Sequence, residues 1–589
     1  MRGLLNRFIT FPESPMRLLA SWFLSCAIFE ILRSRTILLS WGFLLLTLGI
    51  FVLFTVVQHL LPKQRFSAAA LAVCTVLYAV ILVIFRTATD SFALVALIVF
   101  AVGIVLFPLM RREQHSLLPR PLSRGLCIGL CIGAAVWFAL VIGSTTCLRY
   151  LTFSAPNYDF GIFCNMFHNM SKTGLPIVTC ERDAVLSHFA VHISPIYYVI
   201  LPFYMLAPSP LTLQIAQAVV LASGVWPLYK LARHYQLSHA ATAAVAFLYA
   251  LYPALSNGCN YDIHENCFLV PLLLWLFVCY EKQRYGFMAL AAVLILSVKE
   301  DAAVYVAFFA IYVLLARRDP RRALPLLLGA AAYFATAIWL LKTFGEGAMF
   351  GRYEDLLSGS VITDGLLGTL LRDPAYFLEL IVKPANLSKK LIWLYELLLP
   401  LGALLWTPRG KWSRFLLLLP LLLNLLTQYV YQFDINFQYS FGTLPFLFYL
   451  LIQNAADSPP RFRREHLVFS AVTAGLLYVM LVLPSFAHYT GGYLKQRDTF
   501  VQMEAILDTV PDDVSVTAST VLLPHLAQRA VIYEDVYHEG DPDTDYVVLD
   551  MRPAFLKQST AYYVSCVNHG YTVVTEVEDL ITILKAPEQ

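Results

Sequence analysis

The stretch RGLCIGLCIGAAVWFALVIGSTTCLRYLTFSAPNYDFGIF, residues 124–163, decides the fold. Between Gly125 and Leu148 it carries no charged side chain. That run is long enough to cross a bilayer as a helix, which takes about 20 residues. The chain then turns abruptly polar at Asn157-Tyr158-Asp159-Phe160-Gly161, where a long loop begins. Further apolar runs ending in polar turns recur along the 589 residues, of which 59% are hydrophobic and only 14% charged. An ordinary soluble domain is about half apolar and about a quarter charged. This composition excludes a soluble enzyme, a disordered chain, and a collagen-like or disulfide scaffold. It implies a polytopic α-helical membrane protein, in which helices satisfy their own backbone groups inside lipid.

Outward from that stretch, candidate spans fall at about 124–149, 211–232, 239–257, 264–281, 285–298, 300–316, 321–343, 389–407, 413–431, 438–456 and 466–487, giving about 11 core spans. Three or four more precede them, at about 18–32, 36–61, 67–86 and 90–110. Short basic clusters separate alternate spans. Arg111, Arg112, Arg120 and Arg124 come first, then Arg233, then Lys282 and Arg284. Arg317, Arg318, Arg321 and Arg322 follow, then Arg409, Lys411 and Arg414, then Arg461, Arg463 and Arg464. All fall on one side, which the positive-inside rule makes cytoplasmic. The other side receives the loops 150–210 and 344–388, the turns near Asn260–Asn266 and Ser297–Asp301, and the chain after His488. The apolar segment 191–207 reads as a re-entrant or interfacial helix, because counting it as a span would reverse every later loop. The expected division is 1–120 for the N-terminal helices, 121–488 for the core, and 489–589 for a soluble extracytoplasmic α/β domain.

The tail differs in charge. From Tyr489 onward there are 16 acidic and 6 basic side chains, against 23 acidic and 36 basic before it. Basic residues set in short clusters between apolar spans are topology signals, so nucleic acid is not implied. Within the tail, SVTAS (515–519), RAVIY (529–533), YVVLD (546–550) and YTVVT (571–575) are short β-branched runs separated by helical patterns. They predict a small α/β domain with a mostly parallel sheet. No GxGxxG loop opens it, so nucleotide binding is not supported. The 11 cysteines show no CxxC or Cys/His ligand spacing, and no metal ligand set is indicated. Cys164 and Cys180 share one loop and could pair in an oxidising space or stay as free thiols. No cleavable signal peptide is expected, since no A-x-A-like site follows the first apolar stretch.

The unusual polar residues gather on the outer side. Asp159 begins the first loop, with His188 and His192 further along it. Asp262, His264 and Glu265 lie between two spans, and Lys299, Glu300 and Asp301 lie between two more. Arg352 sits in the 344–388 loop, and Tyr429, Gln438 and Tyr439 flank the last outer loop. Consecutive ionisable groups at membrane depth are costly and generally line an aqueous cavity. Each also has a plainer use. Asp159 can cap a loop helix. Asp262 can N-cap a helix starting near His264, with Glu265 in its first turn. Lys299-Glu300-Asp301 can close as a turn with its own salt bridge. His192 and His168 suit interfacial packing better than ligation. Convergence on one face carries more weight than any single motif.

The succession NYDFGIF, SHF, PLTLQIAQAVVLASGVWPLYKLAR, YDIHEN, SVKEDAA, TASTVLLPHLAQRAVIY and DYVVLD resembles the bacterial membrane family known as domain of unknown function 2079, from about residue 150 to residue 585. That family in turn resembles the GT-C superfamily of polytopic glycosyltransferases, which includes the protein mannosyltransferases and the aminoarabinose transferase of lipid A. The resemblance implies a GT-C-like core that moves a sugar, with inversion, from a polyprenyl-phosphate donor to an acceptor hydroxyl on a cell-envelope glycan, lipid or protein. Asp159 matches the first-loop catalytic acid and would be the base. Phe160 follows it where many relatives carry a second acid. Asp262 resembles the second acidic position, and Lys299 the lysine facing the donor phosphate. His264 and Arg352 would help neutralise that phosphate, while His188 and Asp262 would orient sugar or acceptor. Glu265, Glu300, Asp301 and Tyr439 complete the expected substrate-binding set. The WWDYG motif of oligosaccharide transferases is absent, which disfavours en bloc transfer to asparagine. A lipid-linked sugar flippase and a noncatalytic scaffold are the alternatives; the chain shows no internal repeat of the kind transporters carry.

Overall fold

The computed structural model describes residues 13–32, 41–60, 66–85, 121–345, 374–538 and 541–587. The predicted span at 90–110 and most of the 344–388 loop, with Arg352, lie outside the described residues. The protein is mostly helical. Among the described residues, five helices are long and apolar enough to cross a membrane: Gly42–Leu60, Arg124–Leu151, Pro210–His234, Pro320–Phe344 and Pro460–Leu507. Eight helices position the site. They are α1 (Arg124–Leu151), α2 (Ile162–Thr173), α3 (Pro210–Ser223), α4 (His239–Ala250), α5 (Leu269–Glu281), α6 (Ala302–Leu315), α7 (Leu444–Asp457) and α8 (Leu483–Leu507).

Ser123 starts α1 by accepting from the Leu126 N–H, satisfying one of the free donors of its first turn. α1 packs against α3, α4 and α8. Gly143 of α1 lies against Ala218 of α3, a contact of small residues that lets the two backbones approach. At one end of the bundle, Glu281 accepts from Arg317, Tyr235 and Tyr449, while Lys411 and Arg414 pair with Asp457. Arg317 and the pair Lys411 and Arg414 come from two of the basic clusters, and both networks close on α7, through Tyr449 and Asp457.

The opposite helix ends are broken. α4 stops at Ala250, and the chain passes through a short helix at Pro253–Asn257, a left-handed residue at Asp262 (φ 71°) and a 3₁₀ turn at Glu265–Phe268 before entering α5. The expected span 413–431 is not one helix. It runs as a 3₁₀ turn (Trp412–Leu418), a short helix (Leu421–Leu425) and a loop. The expected span 389–407 begins as a helix at Pro384–Leu398 and changes to a 3₁₀ turn that bends at Gly402 (φ 59°). Buried polar side chains make these breaks tolerable. Asn424 donates to the Gln432 and Tyr439 carbonyls, and the Lys390 ammonium donates to those of Leu380 and Leu425. Irregular backbone at membrane depth persists only where protein or a cavity satisfies it. Within 191–207 the chain forms a 3₁₀ turn at Pro195–Val199 and a helix at Leu201–Leu206, which is too short to cross a bilayer.

The outer loop holds a small antiparallel pair, β1 (Ile177–Val178) and β2 (Leu186–Ser187). The C-terminal region forms a five-stranded sheet of β3 (Val516–Ala518), β4 (Ile532–Glu534), β5 (Tyr546–Asp550), β6 (Thr572–Val577) and β7 (Ile581–Lys585), in the order β4-β3-β5-β7-β6. β3 is parallel to β4 and β5, whereas β7 is antiparallel to β5 and β6. The sheet is therefore mixed rather than mostly parallel, because ITILK at 581–585 returns as a hairpin partner that the sequence reading did not mark. α8 runs straight through residue 488, with its bend at Gln496.

This sheet is stitched to the first outer loop. The Asn157 amide donates to Glu534 Oε2 at 2.7 Å, its backbone N–H donates to the Thr520 carbonyl at 2.8 Å, and the Thr179 hydroxyl donates to the Ile532 carbonyl at 2.6 Å. Gly161 permits the contact. A Cβ there would lie 2.4 Å from Asn157 Oδ1 and 2.6 Å from Leu523 Cδ2. Gly161→Ala should therefore cost about 1–3 kcal/mol, as overpacking does. Thermal unfolding of the purified protein in detergent would show this, and an unchanged midpoint would mean that loop and sheet are not locked together at Gly161.

Candidate functional site

The broken helix ends and the first outer loop enclose one cavity of about 540 Å³. Its size is that of a small-molecule site. The loop enters through a π-helical turn at Asn157–Gly161 that continues into α2. Turns of this kind recur at functional sites because the extra residue per turn pushes side chains out of helical register. Here Tyr158 and Asp159 reach the cavity, while Asn157 and Phe160 are buried.

Three carboxylate–imidazole pairs surround the space. His264 Nε2 lies 3.4 Å from Asp159 Oδ2, at ion-pair distance but without hydrogen-bond alignment. His188 Nδ1 lies 2.9 Å from Glu181 Oε2, and His192 Nδ1 lies 2.9 Å from Glu300 Oε1. The rings of His188 and His264 both stand edge-on to Phe163, at centroid distances of 5.6 and 5.5 Å. His188 Nε2 is buried without a hydrogen-bond partner on the ring that faces the cavity.

The wall also holds a buried ion pair. Lys299 Nζ donates to Glu265 Oε1 at 2.8 Å, and the Tyr197 hydroxyl donates to Glu265 Oε2 at 2.7 Å while accepting from the Glu265 N–H. Burial alone would raise the Glu265 carboxyl, but Lys299, His264 and His192 outweigh it and hold it well below the usual carboxylate range. Burial also favours neutral His264, yet Asp159 beside it brings its pKa above the ordinary value. For His192, burial and then Lys299 prevail over Glu300 and lower it.

The family model for predicted membrane proteins of domain of unknown function 2079 (DUF2079) matches residues 149–581. The chain belongs to that family. No curated protein matches it in sequence. Among solved structures it is similar to ArnT from Cupriavidus metallidurans bound to undecaprenyl phosphate, with 13% identity and a TM-score of 0.51. The match covers 80% of this chain and 100% of ArnT. The apo state of the same protein matches with 12% identity and a TM-score of 0.44, over 78% of this chain and all of that one. The fold of this family member is thus GT-C-like, with a small sheet region at the C-terminus.

Of the residues expected at the site, Asp159, His188, His264, Glu265, Lys299 and Tyr439 line the cavity. Asp262 is not among the lining residues. It is buried behind the wall, where its carboxylate pairs with Arg149 and accepts from Gln214 at 2.6 Å. Its positive φ also removes it from the expected N-cap position, and it serves as a strut. Glu300 and Asp301 likewise stand off the lining, Glu300 holding His192 and the Ile193 N–H, and Asp301 preceding α6. Within Lys299-Glu300-Asp301, Lys299 pairs with Glu265 and Glu300 with His192, both from other segments. His192, expected to pack, lines the cavity instead, and His168 stays on α2 outside it. Cys164 and Cys180 are buried free thiols. Among the described residues no group of three His, Cys, Asp or Glu suits a metal ion. The sequence reading missed Glu181, Arg182, Tyr431 and Phe437, and met Tyr261 only as the first residue of YDIHEN. Glu181 precedes His188 by seven residues in the same outer loop, which is the signal that was there to find.

Two outcomes follow from this geometry. Lys299→Met leaves a buried carboxylate unpaired and should cost about 3–5 kcal/mol. Lys299→Met with Glu265→Gln should recover part of that loss in thermal unfolding, because the amide keeps a partner in Tyr197. For His264 the folded pKa is raised, so its contribution is complete below 6.5 and is lost as pH rises through the raised folded value. His264→Gln should accordingly destabilise the protein more near pH 6 than near pH 9, compared at each pH with the unsubstituted chain. An equal loss at both would exclude an Asp159–His264 ion pair.

Proposed function

We propose that the protein is a membrane glycosyltransferase of GT-C type that moves a sugar from a polyprenyl-phosphate donor to an acceptor hydroxyl outside the cytoplasm. The observation that carries this reading is the meeting of Asp159, His264 and Lys299, far apart in sequence, in one cavity at the broken helix ends. Two findings support it. The fold is shared with ArnT, and that protein was solved bound to undecaprenyl phosphate. The chemistry of the wall also fits a lipid phosphate. Lys299 and the rim guanidinium of Arg182 supply positive charge, and His264 adds more when protonated.

The reaction balances on these groups. The acceptor oxygen attacks the anomeric carbon as Asp159 takes its proton. The bond from that carbon to the phosphate oxygen breaks, and its electron pair leaves with the lipid phosphate. Lys299 and protonated His264 stabilise the charge on the departing oxygen. Attack opposite the leaving group inverts the anomeric centre. His188, held through Nδ1 by Glu181, orients a substrate hydroxyl with its other ring nitrogen. Asp262 acts at one remove, fixing the turn that carries His264. The lipid tail stays among the helices in the bacterial cytoplasmic membrane, and the C-terminal sheet region stands on the outer side over the first loop.

The test is incubation of purified protein with a labelled polyprenyl-phosphate sugar and a mixed envelope extract. Release of free lipid phosphate with label on an acceptor supports the transferase. Sugar-lipid crossing a vesicle unchanged would indicate a flippase instead. Asp159→Asn should slow transfer by about 10²–10⁴-fold, the usual worth of a positioned base, while the unfolding midpoint stays within a few degrees. Transfer at the original rate in that variant would remove Asp159 from the reaction.

A further inference from the structure

The cavity has two unlike walls. One carries the charged side chains already described. The other is formed by Tyr261, Tyr429, Tyr431, Phe437, Gln438 and Tyr439 and bears no charge. Its rings are contiguous. Tyr429 and Tyr431 are 5.1 Å apart between centroids, Tyr431 and Phe437 4.6 Å, and Phe437 and Tyr261 4.8 Å. Tyr431 remains 43% exposed despite this packing, so aromatic surface is left open. Gln438 is 4% exposed, and its Oε1 has no hydrogen-bond partner. A buried acceptor left unpaired is costly, so a ligand hydroxyl there would be favoured. Asp434, the acid of this loop, is off the wall and accepts from Asn436.

The seam between the walls is the reacting end. The Tyr261 ring stacks on His264 at 5.7 Å, and His264 faces Asp159. On the reading above, the phosphate occupies the charged wall and the base stands at the seam. The molecule that gives up a hydroxyl proton must then lie along the aromatic wall. We infer that this wall is an acceptor subsite for a neutral pyranose unit, stacked on Tyr431 and Phe437 with a hydroxyl donated to Gln438. A pyranose has a C–H face that meets the negative face of an aromatic ring, and hydroxyls at its edge for the amide and phenols. An ionised acceptor would find no counter-charge on this wall. An acyl chain would leave the amide unpaired.

The inference rests on the transferase reading for its word "acceptor", but its test reads binding alone. Saturation-transfer NMR on the full-length protein in detergent would use methyl pyranosides of several hexoses and N-acetylhexosamines, with sorbitol and a serine tripeptide as controls. Saturation is expected on the C–H protons of one face of at least one pyranoside, and on neither control. Tyr431→Ala and Phe437→Ala should each weaken it by about fivefold, whereas Phe437→Tyr preserves it. The signal should persist when the protein is preloaded with a polyprenyl-phosphate sugar. Absence of any pyranoside signal, equal binding of sorbitol or peptide, or no effect in either alanine variant at an unchanged unfolding midpoint would overturn the subsite. Displacement by the preloaded donor would also overturn it, since the wall would then hold the donor's own sugar. Persistent binding with no transfer in the labelled assay leaves the saccharide subsite standing and removes the transferase reading alone.

Discussion

The carboxylate of Glu265 is almost completely buried at the end of a broken helix, and the site depends on what neutralises it. Such a charge survives only if it is paired and its lone pairs are used. Lys299 and Tyr197 meet both conditions, one from each of two other chain segments. The same contact brings three outer turns together. The segment at Pro195–Val199 is tied further by the Ile196 N–H donating to the Ser297 carbonyl. The ammonium of Lys299 is thus fixed on the cavity wall. An exposed lysine would wander over a sphere of positions, whereas this one has a set place relative to His264 and Asp159.

The second constraint is the backbone itself. Helices that crossed from one surface to the other without interruption would leave no room for a polar cavity among them. Here α4, α5 and the chain through 399–443 stop short, and irregular segments fill the gap. Carbonyls of Leu380, Leu425, Gln432 and Tyr439 accept from the buried Lys390 and Asn424 side chains, whose polarity would otherwise be unfavourable in such surroundings. The first outer loop adds the remaining wall, and the C-terminal sheet presses on its back. Gly161 and Asn157 belong at once to the loop that presents Asp159 and to the surface against which the sheet rests. The sheet region therefore buttresses the position of Asp159 without entering the cavity.

Charge in the cavity is organised as pairs. Each of three imidazoles has a carboxylate beside it, which can balance its charge when it is protonated. Asp262 and Arg149 form a further opposed pair behind the wall. Their role differs because neither borders the cavity, which separates what holds the site from what faces a ligand.

Much of this was legible along the chain. Hydropathy runs and basic clusters specify a multi-spanning helical protein and put its odd polar residues at one end, because lipid excludes charge and the chain must alternate. The motifs around Asp159, His264 and Lys299 could be picked out for the same reason. What the chain could not show was which of those residues face inward. Asp262 looks as promising as Asp159 in sequence, yet one is turned by a left-handed backbone toward Arg149 and the other projects from a π turn. Glu181, Tyr431 and Phe437 stand in ordinary loop sequence and acquire meaning only when remote segments close around one space. Helix and span follow from local transfer free energies, which each segment carries with it. A cavity is defined by the relative placement of segments hundreds of residues apart, and only tertiary packing settles that.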